Sequence, residues 1–265
     1  MKLDLRKKVY LPISFIILSL VFYAISNRSD LLPASFASSL FFWSAIALLI
    51  PNKFLNMVWN DVKKTKAYWV PFSIYLFFHV TLYGIFYNLI LGGFNFFPYF
   101  GYGVGASIPT PPYLFVYWVS LSPAFFSFIG PYESDVTPYS LFLGLLLSTL
   151  IGANVQRIIE LRKLIKERKR SLITITAVPS LGVISGTSCC LSLPSIIIYV
   201  AAVSTGTFSS VVPILASPIF FTFSYFGLPI ASLALLLFNL RDINKVIRRL
   251  TMTTLNGRMA NPKGK

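Results

Sequence analysis

Long apolar runs, separated by short clusters of charged residues, dominate the hydrophobic pattern of this chain. Six of these runs are long enough to cross a hydrocarbon core of about 30 Å as a helix. They cover residues 9–26, 31–50, 69–91, 136–155, 172–198 and 212–240. The pattern therefore predicts an all-α fold, a polytopic integral membrane helical bundle of six transmembrane helices in a single membrane domain, residues 1–265.

The positive charges predict the orientation of this bundle. Of the 23 Lys and Arg residues, 22 fall in four clusters, at residues 2–8, 53–66, 157–170 and 241–265. Cytoplasmic loops are enriched in Lys and Arg, and six spans place all four clusters on the same side. We therefore expect a multi-pass protein of the cell (cytoplasmic) membrane with both termini cytoplasmic. Its basic cytoplasmic segments would be the loops 51–68 and 156–171 and the tail 241–265.

Residues 92–135 are predicted to form an aromatic cap outside the membrane. Prolines interrupt the apolar run 113–129, which favours a re-entrant or surface-lying segment over another span. Aromatic side chains at a membrane face are usually anchors. The alternative is that the cap binds a quinone or covers a partner subunit.

Composition and the placement of charge restrict the kinds of partner that the chain is expected to bind. Hydrophobic residues make up 55% of the chain and charged residues 12%, whereas soluble domains carry about 25% charged residues. The formal charge of +15 lies in loops, so we expect the lipid bilayer, anionic lipid at its cytoplasmic face and no nucleic acid. Three basic stretches, near 54–62, 158–165 and 243–250, have the apolar spacing of helices that lie on anionic lipid.

His79 is the only histidine of the chain and falls within the third predicted span. A bis-histidine haem needs two imidazoles, and the methionines lie outside the spans, so haem held by this chain alone is not expected. His79 is a candidate cofactor-binding residue, as a metal ligand or a hydrogen-bond partner of a quinone. The alternative is a neutral imidazole that ties two helices together. The sequence shows no paired carboxylates and no nucleophile beside a base, which disfavours an enzyme.

The only two cysteines, Cys189 and Cys190, are neighbours. Consecutive Cα atoms lie about 3.8 Å apart, closer than the roughly 4.4–6.8 Å that a disulfide prefers, so the pair is a poor structural bridge. Two soft sulfurs suit one soft metal ion, such as copper or mercury. Cys189 and Cys190 are therefore the candidate metal ligands. The alternatives are a redox role and two small side chains that only pack.

The segment around the pair has a family resemblance. A small, Ser- and Thr-rich stretch, then Cys189-Cys190-Leu191 and a nearby Pro194, resembles the first span of bacterial mercuric-ion transport membrane proteins. The resemblance covers about residues 175–245, and no family is recognised for residues 1–170. It implies that Cys189 and Cys190 accept the ion from the outer side.

Two functional hypotheses follow from the sequence. The first is transport or binding of a soft metal ion or thiol compound through the vicinal cysteine pair. The second is a non-catalytic membrane subunit of a respiratory, oxidase or other membrane complex, which binds a quinone or a partner through the aromatic segment.

Overall fold

The computed structural model describes residues 5–26, 30–91, 100–129, 132–167, 201–202, 204–215, 217, 219 and 222–259. Within them the chain is mostly helical. The α-helices are α1 (Leu5–Ala24), α2 (Leu31–Leu49), α3 (Asn52–Leu55), α4 (Lys66–Leu91), α5 (Phe115–Leu121), α6 (Pro138–Glu167), α7 (Phe208–Leu215) and α8 (Leu228–Met259). Short π-helical turns cover Asn56–Asn60 and Phe223–Gly227, and a 3₁₀ turn covers Pro112–Leu114.

A small antiparallel sheet joins the strands β1 (Phe100–Gly105), β2 (Ala124–Ile129) and β3 (Tyr132–Val136) in the order β1-β2-β3. Side chains alternate between the two faces of a strand. One face therefore carries the glycines of β1, and Phe126 of β2 lies opposite Gly103. A Cβ atom at Gly103 would come within 2.6 Å of Cζ of Phe126, so the aromatic ring needs the glycine beneath it.

The prediction of an all-α bundle with six transmembrane helices is wrong. Among the described residues only two helices, Leu31–Leu49 and Pro138–Ile165, combine the length and the hydropathy that crossing a membrane requires. The sheet lies inside the segment assigned as an aromatic cap. Residues 100–105 alternate between bulky side chains and glycine, a period of two that suits a strand rather than a helix.

The six assigned spans have different outcomes. Helix α2 and the start of α6 match the segments 31–50 and 136–155, whereas the apolar part of α1, Val9–Ala24, is shorter than a span. The segment 69–91 is helical within α4, and 172–198 lies outside the described residues. The segment 212–240 is not one helix, because α7 ends at Leu215 and α8 begins only at Leu228. The π-helical turn Phe223–Gly227 lies directly before α8.

The described residues belong to two compact units. The sheet unit is drawn from residues 1–55, 77–145 and 195–213, and the basic unit from 56–76, 146–194 and 214–265. The core of the sheet unit packs α2 against α5 through Phe42, Phe115, Trp118 and Val119.

The core of the basic unit is a seam between α6 and α8. Leu161 and Ile165 of α6 pack with Ile243 of α8, and each of the three is 1% exposed. Ile158, Val246, Ile247 and Leu250 border them. The apolar stripes near 158–165 and 243–250, expected from the sequence to lie on lipid, are thus used for packing between helices.

Small residues on α6 admit close neighbours from α4. In the sheet unit, a Cβ atom at Gly144 would lie 2.6 Å from Cδ2 of His79. In the basic unit, a Cβ atom at Gly152 would lie 2.8 Å from the carbonyl oxygen of Tyr68. Ser148, fully buried, lies four residues from each glycine. Small residues at this spacing let helix backbones approach closely.

The helix pair α1–α2 buries polar side chains and exposes apolar ones. Ser19 and Ser38 are fully buried, and the Ser19 hydroxyl donates to the Ser38 carbonyl at 2.6 Å. By contrast, Ile17, Phe36 and Leu40 are each 55–59% exposed. This is the reverse of the usual arrangement in a water-soluble protein.

Candidate functional site

The sheet unit holds an apolar cavity of about 550 Å³ between α2, the sheet and the first turns of α6. Helix α2 contributes Phe36, Ser39, Leu40, Trp43, Ser44 and Ala47; the sheet and its flanks contribute Val104, Pro123, Phe125 and Val136; α6 and the residue before it contribute Thr137, Pro138, Leu141, Phe142 and Leu145. Its volume falls in the range of small-molecule sites, roughly 300–1,000 Å³.

The α6 wall of the cavity begins at a helix cap. The backbone N–H of Thr137 donates to the Ser140 hydroxyl at 3.0 Å, and the Ser140 N–H donates to the Thr137 hydroxyl at 3.2 Å. Pro138 fills the first helical position, where its missing N–H costs nothing. The sequence Thr137-Pro-Tyr-Ser140 therefore fixes the point at which β3 gives way to helix, and Val136 and Leu141 face the cavity on either side of it.

The α2 wall is held in place by one carbonyl group of α5. The Val119 oxygen accepts from the indole Nε1–H of Trp43 at 3.2 Å and from the Ser39 hydroxyl at 3.3 Å. The Trp43 ring also packs on Phe142 of α6, with ring centres 4.9 Å apart. These contacts orient the indole, so the aromatic wall of the cavity is set before any ligand binds.

The cavity is uncharged. None of the described residues that line it carries a formal charge, and its polar groups are hydroxyls such as those of Ser39 and Ser44. Asp135 precedes Val136 on β3, so strand alternation places it on the opposite face of the sheet from the cavity. Burial raises the pKa of the Asp135 carboxyl. An ionised ligand would find no counter-charge in the cavity wall, which favours a neutral one.

The cavity opens on an apolar outer surface. Phe36 and Leu40 of α2 line it and are 59% and 55% exposed, and Leu141 and Leu145 of α6 line it and are 43% and 42% exposed. The mouth is therefore bordered by the outward faces of the two helices with the strongest span character.

His79 does not line this cavity. Its ring is 2% exposed, packs on Gly144 and has Nε2 at 3.0 Å from the carbonyl oxygen of Ser140. Because a carbonyl can only accept, Nε2 carries the proton and donates. This geometry matches the alternative of an imidazole that links two helices, here α4 and α6. Cofactor binding by His79 stays a prediction.

The candidate metal ligands Cys189 and Cys190 lie outside the described residues. Among the described residues, no group of three or more His, Cys, Asp or Glu side chains is placed to hold a metal ion. The role of the cysteine pair stays a prediction, which a thiol titration with and without one equivalent of Hg²⁺ or Cu⁺ would check.

Sequence reasoning missed the cavity-lining residues of α2 and α6. Their apolar character is visible in the sequence, but their common role depends on strands that were assigned to a helical or irregular cap. The close approach of α4 to α6 did leave a signal, the spacing of Gly144, Ser148 and Gly152 at intervals of four. Comparison with protein family models, with curated proteins and with solved structures finds no match. The function must therefore be argued from geometry.

Proposed function

We propose that this protein is a non-catalytic membrane protein that binds a neutral, lipid-like small molecule in the cavity between α2, α6 and the sheet. A quinone with an apolar tail is the ligand class that fits best. One observation carries the proposal: an uncharged cavity of about 550 Å³ opens between exposed apolar helix faces.

Burial supports the membrane location. Buried serines and exposed large apolar side chains on α1 and α2 suit a hydrocarbon surrounding, in which helices associate through small and polar residues. The two span-length helices, α2 and Pro138–Ile165, both border the cavity mouth. The ligand would therefore be drawn from the bilayer.

The lining supports a ligand with a flat polar head. Trp43 and Phe142 offer aromatic surface, and the Ser44 hydroxyl offers a hydrogen-bond donor without charge, since the Ser39 hydroxyl already donates to Val119. Ligand sites are typically apolar with a few polar groups that set orientation. A quinone ring could stack on the Trp43 indole and accept from a serine hydroxyl, while its tail passes between Leu40 and Leu141.

The test is ligand binding to the purified protein in mild detergent. Extraction with organic solvent followed by mass spectrometry should recover a neutral prenyl or quinone lipid. Titration with decylubiquinone should quench tryptophan fluorescence, and Trp43→Phe should remove most of that quenching. Ala47→Phe fills the cavity from α2 and should weaken binding by about tenfold or more, because the ring occupies ligand volume.

Leu48→Phe is the matched control. Leu48 is the next residue of α2, is 48% exposed and does not line the cavity. It adds a ring of the same size outside the cavity, so binding should be unchanged. Equal loss of binding in both variants, or quenching that persists in Ala47→Phe, would contradict the proposal.

A further inference from the structure

The basic unit carries a strongly cationic surface, and none of the residues that form it lines the cavity. Its described side chains include three carboxylates, and each already lies in an ion pair: Glu160 with Arg157 at 2.6 Å, Asp242 with Lys245 at 3.2 Å and Asp61 with Arg248 at 3.6 Å. The same unit has ten described Lys and Arg side chains: Lys63, Lys64, Lys66, Arg157, Arg162, Lys163, Arg241, Lys245, Arg248 and Arg249. The surface therefore keeps a large positive excess.

Part of this charge forms a row along α8. Arg241, Lys245 and Arg248 recur at intervals of four and three residues, which places them on one face of the helix. All three are exposed, and the side chains of Lys245 and Arg248 are 64% and 76% exposed. The apolar stripe of α8 is occupied by the seam with α6, so the row lies on a different face of the helix from that packing.

The segment after α3 extends the row with an aromatic side chain. The Asp61 carboxylate lies beside Arg248, the backbone carbonyl of Asp61 accepts from Arg157, and Thr65 donates to Gln156. These contacts hold the segment against α6 and α8. It brings the exposed cation Lys63 and the indole of Trp59, which is 58% exposed.

The exposed side chains of α8 change from apolar to basic just before the row. Ile230, Leu235 and Phe238 are 50–59% exposed and apolar. Arg241 follows Phe238 by three residues, or about 4.5 Å along a helix. Such a change is expected where hydrocarbon meets lipid headgroups, and an exposed tryptophan at the same end is typical of a membrane interface.

We infer that Arg241, Lys245 and Arg248, with Lys63 and Trp59 beside them, form a binding surface for the headgroups of anionic phospholipid. The cations would hold lipid phosphates, and the Trp59 indole would lie in the interfacial layer. An acidic protein surface would satisfy the charge but gives no reason for the exposed indole or for the apolar band on α8. This surface shares only the membrane location with the proposed cavity function.

The test compares lipids that differ in headgroup charge. Full-length protein in mild detergent is titrated with short-chain phosphatidylglycerol, phosphatidylcholine and inorganic phosphate, and bound lipid is counted by native mass spectrometry. We expect a preference for phosphatidylglycerol that weakens as salt is raised. The double variant Arg241→Gln and Lys245→Gln should lose about 25-fold of that preference, about fivefold per cation. Arg248 is left intact because its ion pair with Asp61 helps to dock the segment.

Arg162→Gln with Lys163→Gln is the charge-matched control, because both residues are exposed on α6. It removes the same net charge away from the row and should change the preference less than about threefold. Equal loss in both double variants would mean a diffuse charge effect and would overturn the site. Three further outcomes would overturn the site. They are equal binding of phosphatidylglycerol and phosphatidylcholine, displacement of the lipid by millimolar phosphate, and an acidic peptide that binds more tightly than the lipid. Quinone quenching in the same variants separates this result from the cavity function, since none of the four substituted residues lines the cavity.

Discussion

The two halves of α6 show how one helix can build two kinds of packing. In the sheet unit, its first turns leave a space of about 550 Å³ against α2 and the sheet. In the basic unit, its later turns close against α8 with side chains that are 1% exposed. The first contact is open and has an apolar lining with a few hydroxyls, whereas the second is filled and bordered by further apolar side chains. Filled contacts give stability, and open ones leave room for a ligand.

Large-to-small substitution should give the largest difference in the free energy of unfolding between the two regions. Leu161→Ala in the seam should lower the free energy of unfolding by about 2–5 kcal/mol, because it leaves a void in a closed core. Leu40→Ala in the cavity wall should change it by less than about 0.5 kcal/mol, since Leu40 is 55% exposed. Thermal or denaturant unfolding in one detergent measures both. Equal losses would show that the cavity is part of the packed core.

The two glycines of α6 should also differ. Gly152→Ala should cost about 1–3 kcal/mol, because the new methyl group meets the backbone carbonyl of Tyr68, which can move only with its helix. Gly144→Ala meets the ring of His79 instead, and a side chain can shift more easily. Unfolding of the two variants under one condition gives the comparison. A larger cost at Gly144 would show that the His79 ring is held as rigidly as the backbone.

A buried amide in the basic unit should have an intermediate effect. The Asn154 side chain donates to the Leu236 carbonyl at 3.1 Å and accepts from the Asn239 amide at 2.9 Å. Asn154→Ala should cost about 1–2 kcal/mol, because these bonds join α6 to α8. Ser232→Ala is the control, since the Ser232 hydroxyl bonds only within its own helix, to Leu228. An equal cost for both would argue that the bridge between the helices contributes little.

A pH dependence that belongs to the basic unit should be smaller still, because solvent screens the partly exposed ammonium of Lys64. Lys64 donates to the Val58 carbonyl at 2.7 Å and lies 3.9 Å from the Tyr68 ring centre. Burial lowers the pKa of Lys64 to about 8 from a usual value of 10.5. Between these values the unfolded chain binds more protons than the folded one. The free energy of unfolding should therefore rise as pH increases from about 8 to 10.5.

Lys64→Gln should remove this rise, and Lys63→Gln, which changes an exposed neighbour, should keep it. Unfolding measured at intervals from pH 7.5 to 10 gives the slope for each protein. A slope that survives Lys64→Gln would assign the pH dependence to another group. A wild-type protein without a slope would mean that the carbonyl and the aromatic ring hold the ammonium as well as water does.

The sequence predicts single helices better than their assembly. The start of α6 could be predicted, because Thr137 and Pro138 are local signals for a helix start. The helical character of residues 158–165 could also be predicted from their apolar spacing, but not that they continue α6 and pack against α8. The three strands were not predicted, because an aromatic run interrupted by proline and glycine is compatible with a surface-lying segment as well as with short strands. The length of an apolar run such as 212–240 does not reveal that its residues are shared between α7, a π-helical turn and α8.

The candidate site was less accessible to sequence reasoning than the helices. Its lining comes from four separate segments that meet only when the sheet folds over α2 and α6. His79 and the cysteine pair attracted attention because they are rare residues, whereas the cavity is built from common ones. A rare residue type can be recognised in a sequence, but a concave surface built from common residues cannot.

The junction between β3 and α6 has a mechanical consequence. A single residue, Thr137, separates the strand from the helix; it is pinned by the Ser140 cap, and the ring of Pro138 restricts the next backbone torsion. Strand and helix therefore meet at a stiff elbow, and side chains from both arms border the cavity. A tilt of the start of α6 would therefore carry β3 with it, and the two cavity walls that they form would move together.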